Sequence, residues 1–194
     1  MIRAAPTIDK RRHIVETAYG LFKRAGYHAV GIDRIIAEAD VAKMTMYRHF
    51  PNKDGLIVEV LEYRARRFEA QLDGLAAMAT TPREKIGTIV GWYERWFRSA
   101  DFHGCLFAHA LAEFGEPGHP VFAAVARQKD GFRQRLRLLL DGAMPGDRAD
   151  DAATALFMLF EGASLLAQLG REEEAVRSLR AMVPVIMAAG GDLP

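Results

Sequence analysis

The side chains best suited to chemistry in this 194-residue chain lie in one short run, VAKMTMYRHFPNK, from Val41 to Lys53. Read as a helix, Lys43, Met44 and Thr45 sit at its N-terminal end, and Arg48 lies one turn beyond Met44 and Thr45. Met46 and Phe50, four residues apart, share a different face and suit a core. Lysine and arginine pair with guanine O6 and N7, and a threonine methyl packs on the thymine methyl. The outward face therefore has the chemistry of a reader of base edges in the DNA major groove.

A second constellation lies further along. Cys105, His109 and Glu113 recur every four residues and so share one stripe of a helix, with His103 and His119 nearby. These types could bind a divalent metal, or Cys105 could sense oxidants. The plainer alternative is a small buried cysteine and a histidine lining a cavity. Trp92, Trp96, Phe97, Phe102, Phe107 and Phe132 cluster in the same half of the chain, where they read either as core or as the wall of a ligand pocket. Glu161 and Gln168 interrupt an otherwise apolar helix and need polar partners, which makes Glu161 a candidate anchor for a ligand. A helical enzyme would have to use Glu113 and Glu161 as acid or base. Neither a nucleophile elbow, nor a phosphate-binding loop, nor a dinucleotide fingerprint, nor an HExxH pair accompanies them. No resident cofactor is expected.

The elements that must hold these residues are helices. Apolar residues recur at helical spacing throughout, no strand alternation is present, and the chain reads as all-α with about nine helices. Residues 1–7 read as a frayed end. A first helix from Ile8 or Asp9 carries Ile14, Ala18, Leu21, Phe22 and Ala25 as its stripe, and Gly26 ends it as a left-handed cap. Helices over 32–39 and 42–50 flank the break Ala39-Asp40-Val41, the pattern of a helix-turn-helix whose second helix can enter the major groove. Longer helices follow near 54–78, 82–98, 105–114, 120–141, 148–169 and 172–189. Asn52 or Asp54 and then Thr81 read as N-caps, and Pro184 as a kink. Two domains are expected, a DNA-binding head over 1–53 and a helical body over 54–194.

Charge supports that division. Residues 1–53 hold ten Lys/Arg against five Asp/Glu, while 54–194 hold sixteen against twenty. A basic end on an acidic body fits a polyanionic partner. Lys10, Arg11 and Arg12 oppose the dipole of the first helix, a placement that makes sense beside phosphate. With Cys105 alone, no internal disulfide framework exists, which fits a reducing, cytoplasmic setting. The start of the chain lacks the apolar core of a secretory signal, and Glu161 interrupts the most apolar stretch, so no membrane span is expected.

From Gly26 to Leu56 the chain resembles the DNA-binding domain of the TetR family of transcriptional repressors. The resemblance rests on Gly26-Tyr27, on Ile35 and Ala39, and on the combination of Thr45, Tyr47, His49, Phe50, Lys53 and Leu56. Gly104-Cys105 and Phe160-Glu161-Gly162-Ala163 extend it more weakly into the body. It implies an N-terminal three-helix head with a C-terminal ligand-binding and dimerisation bundle. Tyr47, His49 and Lys53 would be phosphate contacts beside the base-reading Lys43, Met44, Thr45 and Arg48, with Arg11 and Arg12 adding charge. The implied partners are a palindromic double-stranded operator, a second copy of the chain docked through helices near 148–169 and 172–189, and a small-molecule effector. The candidate effector contacts are Trp92, Trp96, Cys105, His109, Glu113, Phe132 and Glu161, with a metal- or redox-responsive regulator using Cys105 and His109 as the alternative. Four positions depart from the family: Val30 and Gly31 stand where hydroxyl residues are usual, Asp40 where glycine is usual, and Ala42 where a capping Ser or Thr is usual. A missing cap costs about 1 kcal/mol.

Overall fold

A computed structural model describes residues 9–141 and 143–189. The expected frayed end at 1–7 lies outside the described residues. Nine helices are present among those described: α1 (Lys10–Ala25), α2 (Ile32–Glu38), α3 (Lys43–His49), α4 (Lys53–Ala76), α5 (Pro82–Phe97), α6 (Leu106–Glu113), α7 (Pro120–Leu139), α8 (Gly146–Gln168) and α9 (Glu172–Ala189). No strand occurs among them; one isolated bridge joins Asp141 and Met144. Helix ends fall within a residue or two of those read from periodicity, the usual scatter of helix termini.

Local chemistry sets the ends. Asp9 caps α1, accepting from the N–H groups of Arg11 and Arg12, so the cations in that first turn are offset by a carboxylate the dipole favours. Asn52 Oδ1 accepts from Gly55 N at 2.8 Å and supplies the cap expected before α4. Thr81 and Glu84 form a reciprocal capping box at α5, with Pro82 at the first helical position. Hydrogen bonds from the Thr81 and Thr80 backbones hold the Glu84 carboxyl down at about 2. By contrast, Gly31 and Ala42 give α2 and α3 no side-chain cap. Asp40 takes φ +48° in the turn between them, the conformation for which glycine is the usual choice. Pro184 lies inside α9, which continues past it.

The chain forms two compact units. One comprises the described residues up to Ala65 together with Leu106–Val125; the other comprises Arg66–Cys105 and the described residues from Ala126. The first thus extends beyond 53 and takes in α6, a grouping of distant stretches that periodicity cannot reveal. Its buried residues include Ile14, Ala18, Leu21 and Phe22 of α1, Ile35 of α2, Met46 of α3 and Leu56, Ile57 and Val60 of α4. Ala25, expected in the α1 stripe, is exposed because the helix ends there. The core of the second unit is aromatic and aliphatic, with Phe68, Tyr93, Phe97, Phe132 and Phe160 among α8 and α9 alanines and leucines.

Within the first unit, Tyr27 is fully buried and its hydroxyl donates to Leu106 O at 3.0 Å. Glu113 accepts from Tyr27 N at 2.9 Å and from His28 N and the His28 ring, each at 2.6 Å. Gly26 precedes this contact at φ +78°, and an added Cβ would stand 3.1 Å from Glu113 Oε1. Glycine is therefore required twice, by backbone angle and by space. Its ψ of 174° is extended, so the expected left-handed cap is a positive-φ turn of another kind.

Burial pushes the Glu113 carboxyl up, but the N–H groups of Tyr27 and His28 and the His28 ring outweigh it, and the net shift is downward. A depressed carboxyl contributes stability that is present above its ordinary range and lost as pH falls through the folded value. Glu113→Gln should therefore cost about 1–2 kcal/mol at pH 7, with the gap to the parent narrowing toward pH 3. Urea unfolding at both pH values checks this; an equal gap at each would remove the charge from the explanation.

Candidate nucleic-acid interface

Helix α3 presents two opposed surfaces. Met46 is fully buried and Phe50, just past the helix end, nearly so. Lys43, Met44, Tyr47 and Arg48 are exposed, while Thr45 and His49 are half-buried. Met44 is 85% exposed and has no packing role within the described residues. The helical wheel anticipates this for Lys43, Met44, Met46 and Phe50, whereas Thr45, expected to point outward, is half-buried. Lys43 Nζ lies 3.5 Å from Asp33 of α2, a fully solvated pair that restrains the lysine only weakly. His13 Nε2 lies 3.1 Å from Ala39 O and ties α1 to the end of α2, a link with no sequence signal.

Charge around this face is less free than composition suggests. Arg11 pairs with Glu59 at 2.6 Å and lies over the Phe50 ring at 5.3 Å. Its hydrogen bond to Glu59 raises its pKa further above the ordinary value. Arg12 pairs with Glu16 at 2.9 Å. Both arginines are thus engaged inside the chain, because acids spaced along α1 and α4 come within their reach. Lys53 is half-buried at the start of α4, and burial lowers its pKa against the opposing pull of Glu113 and Asp54.

The residues expected to meet a ligand fall into separate places. Trp92, Trp96 and Phe132 belong to the aromatic cluster of the second unit, where Tyr93 stacks on Phe160 at 4.7 Å and Phe68 meets Phe132 edge-on at 5.4 Å. Trp92 donates its indole N–H to Gln71 at 3.1 Å. Cys105 and Glu161 converge on Lys129, which sequence reading missed. Its Nζ donates to both Glu161 oxygens at 2.7 Å and lies 3.5 Å from Cys105 Sγ. That supplies the partner Glu161 needed, and an ammonium beside the sulfur opposes a metal cation there. His109 and Glu113 belong to the first unit. Glu113 departs from the expected ligand role because its oxygens hold the backbone after α1. Among the described residues no group of three His, Cys, Asp or Glu could hold a metal ion. Nor is any helix there long and apolar enough to cross a membrane.

A cavity of about 100 Å³ lies between α4 and α7 in the second unit, lined by Phe68, Glu69, Leu72, Gln128, Phe132 and Arg135 beside Gly131. Gln128 Oε1 and Arg135 Nε are buried without a hydrogen-bond partner among the described residues, although the Arg135 guanidinium reaches Asp73 at 2.7 Å through another nitrogen. An orphaned acceptor and an orphaned donor on one small cavity call for a polar occupant. Of the expected ligand residues, Phe132 is the one that lines it.

Residues 14–60 match the family model for bacterial regulatory proteins of the tetR family. The crystal structure of SCO4454, a TetR-family transcriptional regulator from Streptomyces coelicolor, superposes with a TM-score of 0.88 at 32% identity, covering 94% of this chain and 96% of that one. YxaF of Bacillus subtilis, an HTH-type transcriptional regulator itself uncharacterized, is 24% identical over 94% of this chain and 97% of its own length. The HTH-type transcriptional repressor KstR of Mycolicibacterium smegmatis is 32% identical over 45% of this chain and 43% of its own. With an exposed polar face on α3, an all-helical body among the described residues and a relative at 32% identity that covers nearly the whole of both chains, the chain belongs to the TetR family, as a DNA-binding transcriptional regulator and not an enzyme.

Proposed function

We propose that this protein is a cytoplasmic repressor that binds a palindromic operator as a homodimer and leaves it when a small molecule occupies the body. The observation that carries the DNA half is the α3 face, in which Lys43, Met44 and Arg48 stand exposed on a helix footed by buried Met46. Arg48 and Lys43 have the chemistry for guanine, while Met44 and Thr45 offer apolar contact to a thymine methyl. Tyr47, His49 and Lys53 would take phosphates and fix register. For Arg11 and Arg12 to contribute, phosphate would have to compete with Glu59 and Glu16, which places them second to α3. The repressor sense is supported by the likeness to KstR.

Dimerisation through α8 and α9 is supported by what the protomer leaves uncovered. Met158, Leu165 and Leu169 form one outward stripe of α8, and Met182 and Val185 are exposed on α9. The α8 alanines and leucines that face inward are already buried, so the partner would cover this second stripe. An effector is supported by the cavity between α4 and α7, whose lining residues Gln128 and Arg135 leave Oε1 and Nε unsatisfied among the described residues although Arg135 also pairs with Asp73 at 2.7 Å. The same two helices cross the boundary between the units in sequence, at 65/66 and 125/126. A ligand that repositions them would have a covalent route to the DNA-reading unit.

Sequencing of genomic fragments retained by the purified protein tests the reading and yields the operator. On that operator Arg48→Ala should cost about 1–3 kcal/mol and relax preference at one base, with little effect on random DNA. Lys53→Ala should weaken both DNAs alike and reduce the log–log salt slope by about 1. Fluorescence anisotropy at several salt concentrations separates them, and equal losses for Arg48→Ala on both DNAs would remove its base-reading role. Leu165→Glu should yield monomers in sedimentation and weaken operator binding at least ~100-fold, because the second head is no longer tethered. A dimeric Leu165→Glu protein would place the interface elsewhere.

A further inference from the structure

A second concavity, outside every site considered above, runs between α5 and α9 in the second unit. Its volume is about 280 Å³. Gly87 and Gly91, one turn apart on α5, leave room that side chains would otherwise fill, and Val90, Val183, Pro184 and Met187 line the groove. The apolar lining is aliphatic, with no aromatic ring, in contrast to the cluster around Tyr93 and Phe132 in the same unit. A methionine at one wall adapts to a flexible chain more readily than to a rigid ring.

The polar residues of the groove are unequally satisfied. Arg180 donates to Glu94 at 2.6 Å, Glu94 is shared with Arg98, and Arg98 reaches Glu173 at 2.8 Å. The Arg180 hydrogen bond, ahead of that from Arg98, holds the Glu94 carboxyl below its ordinary range. Arg83, by contrast, is exposed on the groove and makes no ion pair among the described residues. The groove thus carries two cations against one carboxylate, and one of the cations is uncommitted.

We propose that this groove binds an alkyl monocarboxylate of medium chain length, with its tail along Val90, Val183, Pro184 and Met187 and its carboxylate at Arg83. The volume admits on the order of ten non-hydrogen atoms, short of drug size. Aliphatic walls select the tail, and the surplus positive charge selects an anion over an alcohol. The groove also stays open in the proposed dimer. At 100° per residue, Arg180, Val183 and Met187 lie on the side of α9 opposite Met182 and Val185. Occupancy is a property of this groove alone and does not depend on the protein's DNA reading.

Titration of the full-length protein with octanoate tests the proposal, read by calorimetry and by methyl NMR. A dissociation constant on the order of 0.1 mM is expected, with shifts at Val183 and Met187. Gly87→Leu fills the trench. A Cβ at Gly87 meets nothing within 4 Å, so the variant should fold with unchanged helicity and lose octanoate binding. Arg83→Gln, at an exposed position, should bind octanoate about tenfold more weakly, as should the parent with 1-octanol in its place. Failure of the parent to bind at 5 mM overturns the site. Retention of parental affinity in Gly87→Leu places the ligand elsewhere and overturns it equally. Octanol binding as tight as octanoate, or parental affinity in Arg83→Gln, overturns the assignment of an anion.

Discussion

A seven-residue helix cannot hold itself together in water, and this protein places the residues proposed to read DNA on one. Nucleating a helix fixes several residues for the first hydrogen bond, so isolated helices shorter than about twelve residues are marginal. Here α2 and α3 are each seven residues long, and neither has a side-chain cap. Their existence and aim therefore rest on burial, with Ile35, Ala39, Met46 and Phe50 almost wholly removed from water. Burying the Ile35, Met46 and Phe50 side chains stabilises by about 1.5–3 kcal/mol each, which outweighs the missing caps at about 1 kcal/mol each. The reading face is rigid only because its opposite face is packed.

The same dependence extends through the first unit. Tyr27, buried entirely, joins the residues after α1 to the start of α6 through its hydroxyl, and Glu113 closes the other end of α6 on the Tyr27 and His28 backbone. His28 stacks on Phe114, which stacks in turn on His119. A carboxylate at the end of one short helix thus satisfies backbone donors about eighty-five residues earlier in the chain. That role commits the Glu113 oxygens to the backbone and gives the first unit a second anchor besides its apolar core.

In the second unit polar groups are few and each carries a consequence. Lys129 and Glu161 satisfy one another, and removing either would leave a largely buried charge. Gln128 Oε1 and Arg135 Nε lack partners among the described residues, which is why the space beside them is a candidate site and not only imperfect packing. The Arg180–Glu94–Arg98–Glu173 chain is exposed by comparison and contributes alignment of α5 with α9 more than stability.

The helices, their ends and most of the sorting of α3 are legible in the residues, because these depend on spacing and capping chemistry among near neighbours. Thr81, Asn52, Gly26 and the Met46–Phe50 pair were legible for that reason, as was membership in a family whose head carries Tyr47, His49 and Lys53. The pairings over long separations arise from the fold. It took Arg11 into a bond with Glu59, gave Glu113 to Tyr27, brought Lys129 to Glu161, and grouped α6 with the first unit. Periodicity records which face of a helix is apolar but not what packs against it. An acid or a base therefore reads as a candidate ligand until folding brings its partner within about 3 Å.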